Sequence, residues 1–182
     1  MYNQIMNYKR IFAQNHPVFL TVVTNKRLPI LIENIDLLRS SFKDVKKYHD
    51  FEIYAAVILP DHFHLIINPE NIKKYPRIIF SIKYYFSKNL NIPIDAEISQ
   101  SRLNKKEKGI WQKRYYEHTI RNEKDLYNHL DYIHFNPVKH GYVDNVKDWE
   151  YSSFHKFVKL KYYDINWGNF EDINNIKNLD YE

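Results

Sequence analysis

Two short segments carry residues whose types and spacing suit metal or phosphate chemistry. The first is LPDHFHLII, residues 59–67, where His62 and His64 stand one residue apart in an otherwise apolar run. Side chains alternate faces along a strand, so an extended run puts both imidazoles on one side and Phe63, Leu65 and Ile67 on the other. Two neighbouring neutral imidazoles can bind a divalent metal. The plainer reading is a pair of partly exposed strand histidines bonded to their neighbours, and a His-x-His pair needs a third ligand to mean more. The second segment, DYIHFNPVKHGYV at residues 131–143, offers candidates. Tyr132 and Asn136 are four apart and share a helix face, with Asp125 and His129 on the same stripe. Both have ordinary readings too. A tyrosine beside an apolar stripe packs, and the chain has 16 tyrosines. An asparagine before proline terminates a helix.

These residues need elements to position them. PVFLTVVT at 17–24 is short, apolar and β-branched, which predicts a strand. Apolar residues at 32, 35, 38, 42 and 45 follow a helical period. FEIYAAVIL and HFHLII predict two further strands, joined at Pro60-Asp61 by a tight connection. Pro76 suits the first turn of a helix running to about residue 89. Residues 91–109 have little pattern and are expected to form a mobile loop. GIWQKRYYEHTI is expected to supply a fourth strand. Asn122 has the character of an N-cap for EKDLYNHLDYIHF, whose helix Pro137 is expected to end. WEYSSFHKFV predicts a last short helix. The order β-α-β-β-α-β is the ferredoxin-like split βαβ arrangement, an α+β fold with an antiparallel sheet and helices on one face. It implies an open second sheet face and a C-terminal helical extension. The expected division is a catalytic domain over residues 1–145 and an extension, 146–182, packed on it.

Composition narrows the function classes. The 182 residues suit one domain, and the formal charge of +5 is compatible with a polyanionic partner without requiring one. Basic residues concentrate at 73–88 and 102–114, whereas the tail from Asp164 is mostly acidic. The chain has no cysteine, which excludes disulfides, thiolate metal sites and cysteine nucleophiles. With three glycines it has no phosphate-cradling loop, so no nucleotide cofactor is expected. No stretch is long enough to span a bilayer, and the first residues have no apolar signal core. A cytoplasmic, nucleoid-associated protein is the expectation.

Taken together, LPDHFHLII, GIWQKRYYEHTIRNEKDLYNHLDYIHFNPVKHGYV and WEYSSFHKF resemble the single-tyrosine HUH transposases, specifically the REP-associated tyrosine transposases. The resemblance runs from about residue 16 to 168 and implies the same ferredoxin-like fold. It implies that His62, His64 and Asn136 bind Mg²⁺ or Mn²⁺ and that Tyr132 is the nucleophile. Magnesium prefers oxygen ligands, so two imidazoles suit manganese better. The implied substrate is single-stranded DNA beside a hairpin, cut through a covalent 5′-phosphotyrosine link. Lys113, Arg114, Arg121, Lys139 and His140 are candidate phosphate contacts, and Trp111 and Tyr115 candidate base-stacking residues. A monomer is expected, with a dimer as the alternative. Three rivals stand beside this reading. One is a non-catalytic hairpin-binding regulator on the same fold. Another is a metal-dependent hydrolase using water. The third, an RNA-binding domain, ranks last because its strands should carry aromatic residues where this one has histidines.

Overall fold

The computed structural model describes residues 16–91, 108–168, 172–176 and 178–181. The region expected to form a mobile loop lies mostly outside these. Strand β1 (Val18–Val23) leads to helix α1 (Ile35–Val45), then to the hairpin β2 (Phe51–Ile58) and β3 (His62–Pro69). Helix α2 (Tyr75–Asn89), strand β4 (Tyr116–Thr119), helix α3 (Glu123–Lys139) and short helix α4 (Phe154–Lys159) follow. The strand order is β2-β3-β1-β4, and every neighbouring pair is antiparallel. The two crossovers through α1 and α2 therefore join parallel strands that have another strand between them. This is the ferredoxin-like α+β fold expected from periodicity.

Alternation along the strands decides what each face does. Val18, Leu20 and Val22 of β1 and Phe63, Leu65 and Ile67 of β3 share one core with Leu38 and Val45 of α1 and Ile78, Ile82 and Phe86 of α2. The opposite face was expected to be open and is not. Phe19, Ala55, Val57 and Ile66 project there and pack under Leu126, Leu130 and Ile133 of α3, with Phe154 and Phe157 of α4. All six residues of β1 are buried. A continuous apolar run such as VFLTVV is what a strand covered on both faces requires, and it overrides the inference of an open sheet.

Two boundaries also differ from expectation. The fourth strand is only Tyr116–Thr119, and upstream of it Trp111 makes an isolated bridge to Thr24. Pro137 lies inside α3, which continues to Lys139. A proline in the last turn forfeits one backbone bond. The amides of His140, Gly141 and Tyr142 return to the carbonyls of Asn136, Val138 and Pro137. Gly141, at φ +71°, takes the left-handed conformation that closes this helix end.

Candidate active site

β3 and α3 bring the two segments together across the second sheet face. His62 and His64 project from β3 with ring centroids 4.9 Å apart. The ring of Tyr132, from α3, lies 5.2 Å from that of His64. Asn136 sits one helical turn beyond. His62, His64 and Asn136 are fully buried and Tyr132 nearly so.

Each histidine is oriented through Nδ1. His62 Nδ1 lies 2.6 Å from Asp61 Oδ1, and the other oxygen of Asp61 accepts from Arg27 at 3.3 Å. Burial alone would raise the Asp61 pKa, but the hydrogen bond and charge of His62, with Arg27, hold it below the ordinary carboxylate value. His64 Nδ1 lies 2.8 Å from Thr21 Oγ1, its directly opposed neighbour on β1. Such partners fix an imidazole's tautomer and direct Nε2 to a ligand. The two Nε2 atoms are buried and make no hydrogen bond among the described residues, nor does either amide atom of Asn136. An amide buried without a hydrogen bond costs about 1–3 kcal/mol. Two imidazole nitrogens and an amide oxygen in this state fit a divalent cation.

The Tyr132 hydroxyl accepts from Lys139 Nζ at 3.3 Å and from the Tyr181 amide at 3.2 Å. Lys139 also reaches the carbonyl of Leu179 and a carboxylate oxygen of Asp180. His140 brings its ring to 5.1 Å from His62. Lys113, Arg114 and Arg121 are exposed. Tyr115 is half-buried, with Lys83 Nζ 6.0 Å above its ring. Trp111 corrects an expectation. It is buried against Phe63 and Phe86 and donates its indole N–H to the Lys83 carbonyl. It serves the core and is closed to stacking on a base.

A second titratable group adjoins the first. His118 Nε2 of β4 lies 2.8 Å from Asp125 Oδ2, and His129 Nδ1 lies 3.1 Å from Asp125 Oδ1. Ligand-type atoms of these three residues lie within 4.8 Å of one another, so the group could hold a metal. It shares no residue with His62, His64 and Asn136. Burial pushes the His129 pKa down against the opposing pull of Asp125. Sequence reasoning did not pick Thr21, Asp61 or Tyr181. The first two had weak signals, a lone polar residue in an apolar strand and an acid adjoining a histidine. Tyr181 had none.

Comparison with known proteins agrees with the fold. Residues 13–136 match the family model "Transposase IS200 like". A Haemophilus influenzae protein provisionally named a REP-associated tyrosine transposase is 44% identical over 170 residues, covering 92% of this chain and 96% of that one. The Escherichia coli K12 REP-associated tyrosine transposase is 37% identical, covering 88% and 89%. A solved REP-associated tyrosine transposase bound to a REP hairpin aligns with TM-score 0.70 at 37% identity, over 86% of this chain and 87% of that chain. This chain belongs to the IS200-like transposase family, whose members are enzymes that cut and rejoin DNA.

Proposed function

We propose that this chain is a tyrosine transposase that nicks and rejoins single-stranded DNA beside a hairpin through a 5′-phosphotyrosine link to Tyr132. The observation that carries the reading is the approach of Tyr132 to the His62–His64 pair, with the buried, hydrogen-bond-free amide of Asn136 one helical turn from Tyr132. The hairpin substrate is taken from the solved relative, which holds one.

His62 and His64 through Nε2, with Asn136 through its amide oxygen, would hold the divalent metal, and this donor set favours manganese over magnesium. When bound, the metal would polarise the scissile phosphate. Tyr132 supplies the nucleophile: its oxygen forms a bond to phosphorus, the bond to the 3′-oxygen breaks, the phenol proton passes to solvent and the leaving 3′-oxygen takes one up. A free phenol has a pKa near 10, and the Lys139 ammonium beside the hydroxyl compensates the charge that forms there. One phosphate ester replaces another, so the step reverses without a nucleotide cofactor. Lys113, Arg114 and Arg121, all exposed, and His140 are the proposed contacts to DNA phosphates. The chain acts as a monomer in the cytoplasm, at the nucleoid. None of its described helices is long and apolar enough to cross a membrane.

The test is a labelled DNA hairpin with a single-stranded flank, incubated with Mn²⁺ and resolved on a denaturing gel. The wild type yields a denaturation-resistant protein–DNA adduct, and Tyr132→Phe yields none. Cleavage that persists in Tyr132→Phe would move the nucleophile to water or to another tyrosine. Binding without cleavage in the wild type would leave a hairpin-binding regulator.

A further inference from the structure

Two long basic residues stand at a turn that suits neither. Lys26 and Arg27 both take φ +54°, and the Leu28 amide returns to the Asn25 carbonyl at 3.3 Å. These are the features of a type I′ turn, whose two central positions favour Asn-Gly because both need the left-handed region. A side chain with a β-carbon is strained there. Such strain persists only where the surrounding structure fixes it, and it gathers at functional sites. The fixing bonds are present. The Thr24 amide donates to the Asp61 carbonyl and the Asn25 amide to that of Ile110, each at 2.8 Å. The Thr24 hydroxyl lies 2.8 Å from the Leu28 carbonyl and 2.9 Å from that of Asp61. The turn is therefore bolted to the β2–β3 connection, next to His62.

Arg27 Nη1 lies 3.3 Å from Asp61 Oδ2 and 3.4 Å from His62 Nδ1. The Asp61 side chain is only 12% exposed, whereas that of Arg27 is 44% exposed. The arginine is thus anchored at a buried carboxylate and still reachable from solvent. Contacts run from Lys139 through Tyr132, His64 and His62 to Arg27, with a cation at each end. Lys139 stands at the tyrosine hydroxyl. Arg27 stands on the Nδ1 side of His62, away from the Nε2 that would face a metal. A guanidinium matches phosphate oxygens through paired N–H bonds, which an ammonium cannot reproduce.

We propose that Arg27 forms a phosphate-binding site for the DNA single strand, taking a phosphate next to the scissile one. The proposal rests on the reading of the chain as acting on single-stranded DNA. Asp61 then has two tasks: it orients His62 through Nδ1 and it holds the guanidinium at the edge of the site. The strained turn has a purpose as well, because it carries the arginine to His62 from the end of β1.

The test is anisotropy binding over a range of salt concentrations in EDTA, so that no chemistry is needed. The probes are a DNA hairpin with a single-stranded flank and the same hairpin without the flank. For the flanked hairpin, Arg27→Gln is expected to flatten the slope of log K against log salt by about 0.7, the value of one single-strand phosphate contact. Raising salt fourfold then costs the variant about 2.6-fold less affinity than the wild type. The slope for the blunt hairpin is expected to stay as it is. Arg27→Lys keeps the charge and is expected to keep the slope. Calorimetry on the DNA-free protein is expected to give Arg27→Gln the Mn²⁺ affinity of the wild type. Arg27→Gly, which suits φ +54° without steric cost, gives the same answer should Arg27→Gln lower stability. An unchanged slope, or an equal flattening on the blunt hairpin, would overturn the site. A Mn²⁺ affinity that falls while the slope holds would also overturn it and make Arg27 a positioning residue acting through Asp61. A flank that adds nothing to wild-type affinity would sink the single-strand reading and the site with it. A wild-type gain from the flank with an unchanged Arg27→Gln slope would sink the site alone.

Discussion

At the scale of single residues, the site is built at the expense of stability. Asn136 is buried with its amide unsatisfied, and replacing such a group by an apolar one of similar size is neutral or stabilising. Asn136→Leu is therefore expected to leave the metal-free protein at least as stable in a urea titration. The same variant should lower Mn²⁺ affinity at least tenfold by calorimetry. A metal-free protein weakened by more than about 2 kcal/mol would mean that the amide has a structural task. The histidines carry their own support. Asp61 and Thr21 hold Nδ1 of His62 and His64, so a metal bound as proposed would meet ligands already oriented.

At the scale of elements, α3 is the part that makes a site of these residues. Its N-terminus is capped by Asn122, whose side chain accepts the Asp125 amide at 3.0 Å. Its apolar stripe, Leu126, Leu130 and Ile133, is wholly buried against the sheet. Burial outweighs capping in magnitude. Leu130→Ala is expected to cost about 2–5 kcal/mol and Asn122→Ala about 1 kcal/mol, measured by urea unfolding. A reversal of that order would show that α3 is held by its ends and not by its packed face.

At the scale of the whole molecule, the second core makes stability depend on pH. His134 of α3 is fully buried, with Nε2 2.8 Å from Ser153 Oγ, and burial pushes its pKa down to about 3. In the unfolded chain it titrates near 6.5, so between these values the unfolded state binds more protons than the folded one. The neutral ring's contribution is complete above about pH 6.5 and is lost as pH falls towards 3, by about 1.4 kcal/mol per unit. His129 acts in the same direction. Urea midpoints should fall between pH 6.5 and 5, and His134→Gln should flatten most of that slope. An unchanged slope would place the titrating group elsewhere. Phe154 and Phe157 share this core with α3, and on that ground we propose that residues 146–182 are an extension folded onto 1–145.

The chain's own sequence determined whatever depends on local geometry. The two-residue period of a strand put His62 and His64 on one side. The helical period put Tyr132 and Asn136 a turn apart, and the order of periodic segments yielded the ferredoxin-like topology. Only the tertiary structure decided which faces meet. Periodicity orients a side chain relative to its own backbone and says nothing of what arrives opposite. The meeting of β3 with α3, the burial of Trp111 and the cover over the second sheet face all follow from a sheet apolar on both sides. Tyr181 is the extreme case: its ring meets those of His129 and Tyr116, 52 and 65 residues away in sequence. No local pattern encodes such contacts, because they exist only once the chain has closed on itself.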